Sequence, residues 1–285
     1  MDAFWHWWQT LPHHIDPVLL QIGSFKLQYY GLMYILAFAT TYLLVIYRLR
    51  TEPRFDLTTG QVQDLLTAMV LGLLIGARLG YVVFYNLAYY LEHPLEIVLP
   101  FARVDGALRF TGIAGMSYHG GLIGLMVAGG IYLRRNPVNF WLAADLFAPA
   151  APLGYTFGRL GNFINGELYG RVTQAVIGMD FPKAPGSGLR HPSQLYEAFF
   201  EGLVLFAILW RLRRRPAPCG AMLAYYLMGY GVFRFGIEFF RQPDDQLGFV
   251  VGHFSMGQLL CSAMIVGGFG LLLILRQRDR RKGGC

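Results

Sequence analysis

Long apolar stretches, separated by short groups of arginine, are the dominant pattern along this 285-residue chain. A helix that crosses a bilayer needs about 20 mostly apolar residues. Seven segments approach that length, near residues 24–47, 61–84, 113–133, 140–157, 195–210, 221–240 and 253–275. The pattern therefore predicts an all-α integral membrane protein with seven transmembrane helices, forming one polytopic domain over residues 1–285.

The composition agrees with a membrane protein. Apolar residues make up 55% of the chain and charged residues only 14%, whereas soluble proteins contain about 25% charged residues. The mean hydropathy is +0.41. This composition excludes a disordered chain, a coiled coil and a disulfide-stabilised scaffold.

The positions of the basic residues explain the net charge of +7. More than half of the 24 lysines and arginines follow the ends of predicted spans one, three, five and seven: Arg48, Arg50, Arg54, Arg134, Arg135, Arg211, Arg213, Arg214, Arg215, Arg276, Arg278, Arg280, Arg281 and Lys282. Basic residues beside span ends mark the cytoplasmic side. The N-terminus is therefore expected outside and the C-terminus inside. The charge reflects topology, and no nucleic-acid partner is expected.

The outer side carries the two longest connections, at about residues 85–112 and 158–194. Long connections usually carry function or their own small structure. The functional surface is therefore expected on the outer side of the membrane.

Charged groups within predicted spans are costly unless they are paired or hydrated, so each is a functional candidate. Arg78, His119 and Arg234 each lie about six residues, or about 9 Å, from the outer end of a span, and Arg159 closes span four on the same side. Guanidinium groups bind phosphate through paired hydrogen bonds, and histidine exchanges a proton near neutral pH. Together they favour an enzyme that acts on a phospholipid headgroup in the outer leaflet.

These residues have structural interpretations too. Tyr230, Arg234 and Glu238 share one helix face by their spacing of four, and the alternative for Arg234 and Glu238 is a structural ion pair. The alternative for His119 is a hydrogen-bonded core histidine. For Arg78 it is a pair with a carboxylate or backbone carbonyls. A set of glycines would let the backbone approach a headgroup, and the alternative for them is close helix packing: Gly112, Gly115, Gly120, Gly121 and Gly124.

Further functional classes remain open on the residues alone. A transporter or anion channel would show a polar path to the cytoplasmic face and often paired spans broken by Gly or Pro, whereas the inner halves here hold little beyond Asp145. A lipid-binding scaffold is compatible with the arginines, and so is a phospholipase or a phosphotransferase. The sequence contains no HExxH, CxxC, GxSxG or P-loop pattern, so neither a metal nor another cofactor is predicted.

Several motifs resemble one enzyme family. Residues 158–171 read GRLGNFINGELYGR, which closely resembles the signature of bacterial prolipoprotein diacylglyceryl transferases. Five further stretches are similar to that family: YYGLMY at 29–34, GARLGYVVFYN at 76–86, YHGGLIG at 118–124, HPSQLYE at 191–197 and YGVFRFGIEFFRQPD at 230–244. The resemblance covers about residues 16–275.

The resemblance implies a reaction and a location. The family transfers the diacylglyceryl group of phosphatidylglycerol to the lipobox cysteine of a prolipoprotein signal peptide, which gives a thioether and glycerol phosphate. This is the first step of lipoprotein maturation. It implies a multi-pass protein of the bacterial inner membrane, with membrane lipids as partners, periplasmic outer segments and an active site in the periplasmic leaflet.

The resemblance also implies the site residues. The expected catalytic residues are His119, Tyr230, Arg234 and Glu238. The residues expected to bind phosphatidylglycerol are Tyr30, Arg159, Asn162, Glu167 and Gly170. In the resulting hypothesis His119 activates the thiol, directly or through Tyr230 or water, while Arg159 and Arg234 hold the phosphate.

Overall fold

The computed structural model describes residues 2–22, 25–99, 101–104, 107–110, 115–242, 249–251 and 254–282. Its helices are α1 (Asp2–Thr10), α2 (Tyr29–Thr51), α3 (Thr59–Tyr85), α4 (Leu87–Glu92), α5 (Tyr118–Arg135), α6 (Phe140–Phe147), α7 (Ala151–Ile164), α8 (Ser193–Tyr196), α9 (Leu205–Leu212), α10 (Ala221–Ile237) and α11 (Met256–Lys282). A π-helical stretch, Glu197–Val204, joins α8 to α9, and short 3-10 helices occupy Leu11–His14 and Pro94–Ile97.

Three antiparallel hairpins complete the described secondary structure. They pair β1 (Val18–Ile22) with β2 (Phe25–Gln28), β3 (Phe101–Val104) with β4 (Ala107–Phe110), and β5 (Phe249–Val251) with β6 (Phe254–Ser255). The fold is mostly helical, as predicted, but the all-α prediction missed these hairpins. Each strand is at most five residues long and pairs with its nearest neighbour in sequence, so it leaves little periodic pattern.

The chain divides into two compact units. The first contains Met1–Pro53 and Trp141–Cys285, and the second contains Arg54–Phe140. The prediction of a single membrane domain is not tested by this division and stays a prediction.

In the second unit, α3 and α5 pack with their backbones in close contact. A Cβ atom added to Gly76 would lie 2.7 Å from the Cα atom of Gly124, and one added to Gly80 would lie 2.7 Å from the Cα atom of Gly120. Only residues without a side chain permit such an approach. The helix-packing interpretation is thereby confirmed for Gly120 and Gly124, while Gly112 lies outside the described residues.

Arg78 of α3 has a structural role in the same unit. Its guanidinium donates to the carbonyl oxygens of Ile97 at 2.8 Å, Glu96 at 2.6 Å and Gly115 at 3.3 Å, and it lies over the ring of Tyr90. It therefore ties the predicted outer segment 85–112, which contains α4 and the β3–β4 hairpin, to the helix. Of the two interpretations of Arg78, the described contacts fit the pairing with backbone carbonyls.

In the first unit, α2 packs on α7, α7 packs on the helix formed by α8, the π-helical stretch and α9, and α10 packs on α11. A polar group, called here the Arg48 cluster, consists of Arg48, Glu52, Asp145 and Arg213. Arg48 is fully buried, and it forms two hydrogen bonds with Glu52 and one each with the carbonyls of Asp145 and Leu146. Glu52 also binds Arg213 at 2.8 Å.

The Arg48 cluster also caps α10. The Asp145 carboxylate accepts from the backbone N–H of Gly220 at 2.9 Å and of Met222 at 2.8 Å. These N–H groups at a helix start lack partners within the helix. Two arginines predicted only as markers of the cytoplasmic side, Arg48 and Arg213, are thus also internal structural groups.

Among the described residues, three helices are long and apolar enough to cross a membrane: α2, α3 and α11. The predicted fourth span is wrong as one continuous helix, because residues 148–150 form a turn between α6 and α7. Proline lacks the N–H that a helix interior requires, and Pro149 lies in this turn. The third and sixth helices are shorter than predicted: α5 begins at Tyr118 and α10 ends at Ile237.

The predicted outer segment 158–194 begins within α7 and then folds into an irregular layer over residues 165–192. Phe163, Met179 and Phe181 form a buried group there, against which Trp8 of α1 packs. The Trp8 indole N–H donates to the carbonyl of Ile177 at 3.0 Å. The N-terminal helix is thus part of this layer, while its Phe4 and Trp7 are exposed.

Candidate active site

The first unit contains a group of six charged residues, called here the arginine–glutamate cluster: Arg159, Glu197, Glu201, Arg234, Glu238 and Arg241. Glu197 is its centre and is fully buried. Its Oε2 atom lies 3.0 Å from an Nη atom of Arg159. Its Oε1 atom lies 2.8 Å from Arg234 and 3.4 Å from Arg241. One carboxylate thus holds three arginines together.

The exposure of these groups differs. Glu197 and Glu201 have no exposed side-chain surface, whereas Arg159 keeps 18%, Arg234 15% and Arg241 19% of theirs. The buried side of the cluster is therefore largely carboxylate, and arginine dominates the side that remains accessible. Such a surface suits an anion with several oxygen atoms, because each guanidinium presents a planar set of N–H donors.

Glu201 extends the cluster inward. It lies one turn beyond Glu197, with its Oε1 atom 3.8 Å from Arg234, and its Oε2 atom accepts from the Tyr155 hydroxyl at 2.6 Å. The Tyr155 ring lies under the Arg159 guanidinium at 4.7 Å and meets the Tyr230 ring edge-on at 6.0 Å. Tyr230 therefore lies beside the cluster, as its spacing from Arg234 predicted.

Glu238 approaches Arg234 from another side. Its Oε2 atom lies 3.5 Å from an Nη atom of Arg234, and its Oε1 atom accepts from the Ser255 hydroxyl at 2.9 Å. The predicted Arg234–Glu238 pair is present. It is longer than the 2.8 Å contact between Arg234 and Glu197, so Glu197 makes the closest carboxylate contact with Arg234.

Several buried polar atoms of the cluster have no hydrogen-bond partner within the described residues. They are Nε and one Nη atom of Arg159, Oε2 of Glu197, Oε1 of Glu201 and Oε2 of Glu238. The ion pair between Arg159 and Glu197 is short, but its atoms are not aligned for a hydrogen bond. Buried polar groups are nearly always paired, and exceptions often occur at functional sites.

The loop that follows α7 lies beside the arginine–glutamate cluster. The Asn162 amide donates to the Glu167 carboxylate at 2.9 Å, and the buried Gln194 donates to the Glu167 carbonyl at 2.6 Å. Gly166 and Leu168 have φ values of 63° and 59°, a left-handed conformation that L residues rarely adopt. The loop therefore turns sharply and places Glu167 beside Asn162.

Gly170 ties this loop to the end of α10. It pairs with Arg241 in an isolated antiparallel bridge, and its N–H donates to the His191 carbonyl at 2.8 Å. A Cβ atom at this position would lie 2.9 Å from the Cβ of His191, so a larger residue does not fit. Tyr30, the remaining predicted lipid-binding residue, packs at the start of α2 against Gly161, and its hydroxyl lies 3.1 Å from that of Tyr34.

His119 belongs to the second unit. It is the second residue of α5, and its side chain is exposed. The helix begins later than predicted because Gly115 turns at a φ of 84° and the Ser117 hydroxyl caps the N–H of Gly120. His119 therefore lies in the first turn of α5, and its exposure is at odds with the core-histidine alternative.

Four residues of the candidate site were not predicted from the sequence: Tyr155, Glu197, Glu201 and Arg241. A signal for two of them was present, because Glu197 and Glu201 are acidic residues four positions apart in an otherwise apolar predicted span. Arg241 lies one residue beyond the predicted end of span six. Tyr155 gave no signal, since tyrosines are common throughout the chain.

The fold indicates a helical membrane protein, and its buried charged cluster concentrates three arginines. The prolipoprotein diacylglyceryl transferase family model matches residues 17–274. The chain is 53% identical to the phosphatidylglycerol–prolipoprotein diacylglyceryl transferase of Chlorobaculum tepidum, over 98% of this chain and 96% of that protein. The chain therefore belongs to the prolipoprotein diacylglyceryl transferase family, a family of transferases.

Two further relatives bear the same name. The protein of Bordetella avium is 47% identical over 94% of this chain and 97% of its own length. That of Geobacter sulfurreducens is 47% identical over 93% and 97%. The predicted resemblance is confirmed. The roles predicted for individual residues stay predictions.

Proposed function

We propose that this protein transfers the diacylglyceryl group of phosphatidylglycerol to the lipobox cysteine thiol of a prolipoprotein. The products are a thioether-linked lipid and glycerol phosphate. The observation that carries the proposal is the accessible arginine side of the arginine–glutamate cluster, held from within by buried Glu197. Membership in the family supports the same reaction.

Arg159, Arg234 and Arg241 bind the phosphate of the lipid. Their donors stabilise the charge that gathers on the phosphate oxygen as the carbon–oxygen bond breaks. Glu197 and Glu238 orient the guanidinium groups. Without these carboxylates each arginine would sample many rotamers, at a cost in binding entropy.

Asn162 and Glu167 bind the glycerol headgroup, and Gly170 keeps their loop against the end of α10. Tyr30 contributes a wall of the lipid site from α2. The hydrogen bond between Asn162 and Glu167 supports a shared role, because it fixes the direction in which each presents its remaining polar atom.

The thiolate of the substrate cysteine attacks the C3 carbon of glycerol. A carbon–sulfur bond forms, the carbon–oxygen bond breaks, and the phosphate leaves with the bonding electrons. A free thiol titrates near pH ~8.5, so a base or a positive field is needed at neutral pH. His119 takes the thiol proton, directly or through Tyr230 or water. Its exposed position in the first turn of α5 supports access to a substrate.

The chain crosses the bacterial inner membrane seven times, with a periplasmic N-terminus and a cytoplasmic C-terminus. Support comes from α10: the Arg48 cluster binds its first residues and Arg234 lies in its last turn. These positions are fourteen residues apart, or about 20 Å along a helix. The arginine–glutamate cluster then faces the periplasmic leaflet, where both substrates are found.

The periplasmic segment 158–194 helps to admit the signal peptide. Gly186 and Gly188 have φ values of 76° and 127°, and neither conformation suits a larger residue. Deleting residues 186–188 should weaken peptide binding and leave lipid binding intact. Unchanged peptide affinity and turnover would exclude this role.

The reaction itself is tested by mass spectrometry of a lipobox peptide incubated with the purified protein and phosphatidylglycerol. The expected result is a peptide that gains the mass of a diacylglyceryl group, with glycerol phosphate released. Release of diacylglycerol without peptide modification would instead indicate a phospholipase. Lipid binding without any product would indicate a scaffold.

The role of His119 is tested separately with His119→Gln. We expect turnover to fall by about 10²–10⁴-fold, the usual contribution of a general base, with lipid binding retained. His93→Gln is the matched control, because His93 is an exposed histidine of the same unit that contacts Tyr89. A His119→Gln protein with turnover close to that of the control would remove His119 from this role.

A further inference from the structure

A second basic site lies at the C-terminal end of α9. A cavity of about 560 Å³ is lined there by Phe206, Ala207, Trp210, Arg211, Arg214 and Arg215. The cavity is a groove that is open to its surroundings rather than an enclosed pocket. The site, called here the α9 cavity, involves none of the residues of the arginine–glutamate cluster.

The arginines of the α9 cavity differ from their neighbour Arg213. Arg213 is buried, pairs with Glu52 at 2.8 Å and lies over the Trp210 ring at 3.9 Å. Arg211, Arg214 and Arg215 are exposed, and among the described residues none of the three forms a salt bridge. Arg213 thus has a structural role, whereas the other three concentrate positive charge that no carboxylate of the described residues pairs with.

The floor of the cavity is apolar and well supported. The Trp210 ring stacks on Tyr47 at 6.0 Å and packs against Phe206 at 5.2 Å, and with Arg213 on it the indole is fixed in place. Tryptophan favours the depth at which acyl chains meet headgroups. Ala207 is exposed and small, so it leaves room over the floor.

We propose that the α9 cavity binds an acidic phospholipid of the leaflet at this end of the helix, which is the cytoplasmic leaflet in the predicted orientation. The upper acyl chain lies on Phe206 and Trp210, and the phosphate is bound by Arg211, Arg214 and Arg215. The combination of an apolar floor with three arginines at one edge supports a lipid rather than a soluble anion. Basic residues beside a membrane surface attract acidic lipids in this way.

The test uses the full-length protein in phosphatidylcholine nanodiscs that contain a small fraction of phosphatidic acid with a photoreactive group near the start of its acyl chain. Phosphatidic acid is chosen because it is not the proposed substrate, so this test is independent of transferase activity. After illumination, the modified residues are identified by mass spectrometry. We expect labelling between Phe206 and Trp210, and much less from an equivalent phosphatidylcholine probe.

Three variants separate a defined site from general attraction. Arg211→Gln with Arg214→Gln and Arg215→Gln should reduce the labelling about tenfold or more, since three favourable charges are lost. Ala207→Trp, which fills the cavity and keeps every charge, should reduce it similarly. The control, Arg276→Gln with Arg278→Gln and Arg280→Gln, removes the same charge from exposed positions at the end of α11 and should leave the labelling unchanged.

Each contrary result overturns the proposal. Equal loss in both triple variants would show only general electrostatic attraction. Labelling that persists in Ala207→Trp would show that the cavity holds no acyl chain. Cross-links between two copies through this face would show a protein interface instead.

Discussion

The Arg48 cluster and the arginine–glutamate cluster both place arginines and carboxylates in buried surroundings, and they contact opposite ends of α10. In the Arg48 cluster, Arg48 donates to a carboxylate and to two backbone carbonyls and has no exposed surface. In the arginine–glutamate cluster, the arginines retain accessible surface and several buried atoms have no hydrogen-bond partner in the described part of the chain.

The difference indicates what each cluster contributes. An arginine whose donors are bound to the backbone can only hold helices together. An arginine fixed by a buried carboxylate, with donors still to satisfy, can bind a further anion. Within the described ranges, Arg213 Nε is the one buried side-chain atom of the Arg48 cluster without a hydrogen-bond partner, and it lies beside the Trp210 ring. Substitutions that affect activity and stability separately can test this comparison.

Among the substitutions that test this comparison, Arg159→Lys should give the largest effect. Lysine keeps the charge but loses the planar set of donors, so we expect transferase turnover to fall about 10²–10³-fold, as when one donor to a developing charge is lost. The thermal unfolding midpoint in detergent should change little. A variant that unfolds readily and keeps its turnover per folded molecule would show that Arg159 is only structural.

Arg48→Met should lower stability rather than turnover. It removes the donor to two carbonyl oxygens and leaves the Glu52 carboxylate with Arg213 alone, and breaking a buried ion pair costs about 3–5 kcal/mol. The unfolding midpoint should fall, while the molecules that remain folded transfer lipid at nearly the normal rate. Normal stability with lost activity would contradict the separation of the two clusters.

Asp145→Asn tests the capping role with a smaller change. Asparagine keeps one acceptor oxygen and replaces the other with a donor, so one of the two hydrogen bonds at the start of α10 is lost, which should cost about 1 kcal/mol. The unfolding midpoint should fall slightly, and turnover should remain within about twofold, since a cap loss of this size does not remove the folded state. A large loss of turnover would show that the position of Arg234 depends on the other end of its helix.

The smallest expected effect is the change with pH in the stability of the layer over residues 165–192. Burial lowers the pKa of His191 below its usual value, and the unfolded chain then binds a proton more readily than the folded one. Stability should therefore decrease as the pH falls through the unfolded pKa, near ~6.5, towards the lowered value. Comparing unfolding midpoints at several pH values for the protein and for His191→Asn measures this, and identical pH profiles would contradict it.

The sequence was sufficient to predict the helical class, because its apolar segments have the length of helices that span membranes. It did not predict where the fourth segment breaks. Pro149 and Pro152 lie at that break, and prolines there indicate that a helix does not continue. The hairpins depend on turns and contacts between adjacent residues. Short strands of this kind have no periodicity that differs clearly from the ends of apolar helices.

For the site, charge in apolar surroundings identified Arg159 and Arg234, and helical spacing identified Glu238. The same reasoning applied to Glu197 and Glu201 would have found the centre of the cluster. The sequence could not show that Glu197 binds three arginines. Arg241 lies beyond the end of α10, and its contact with Glu197 depends on the bridge that Arg241 forms with Gly170. Such contacts depend on the packing of separate helices rather than on local sequence.

The π-helical stretch Glu197–Val204 makes its helix sensitive to the insertion or deletion of residues. A π turn contains more residues than an α turn, so a deletion of one residue here would favour an ordinary α-helix. The tighter α turns would change the angle about the helix axis between the residues on the two sides of the deletion. Either Glu197 would leave the arginines or Leu205 and Leu209, both almost fully buried, would leave their packing. In this part of the chain, natural variation by insertion or deletion should be tolerated less than substitution.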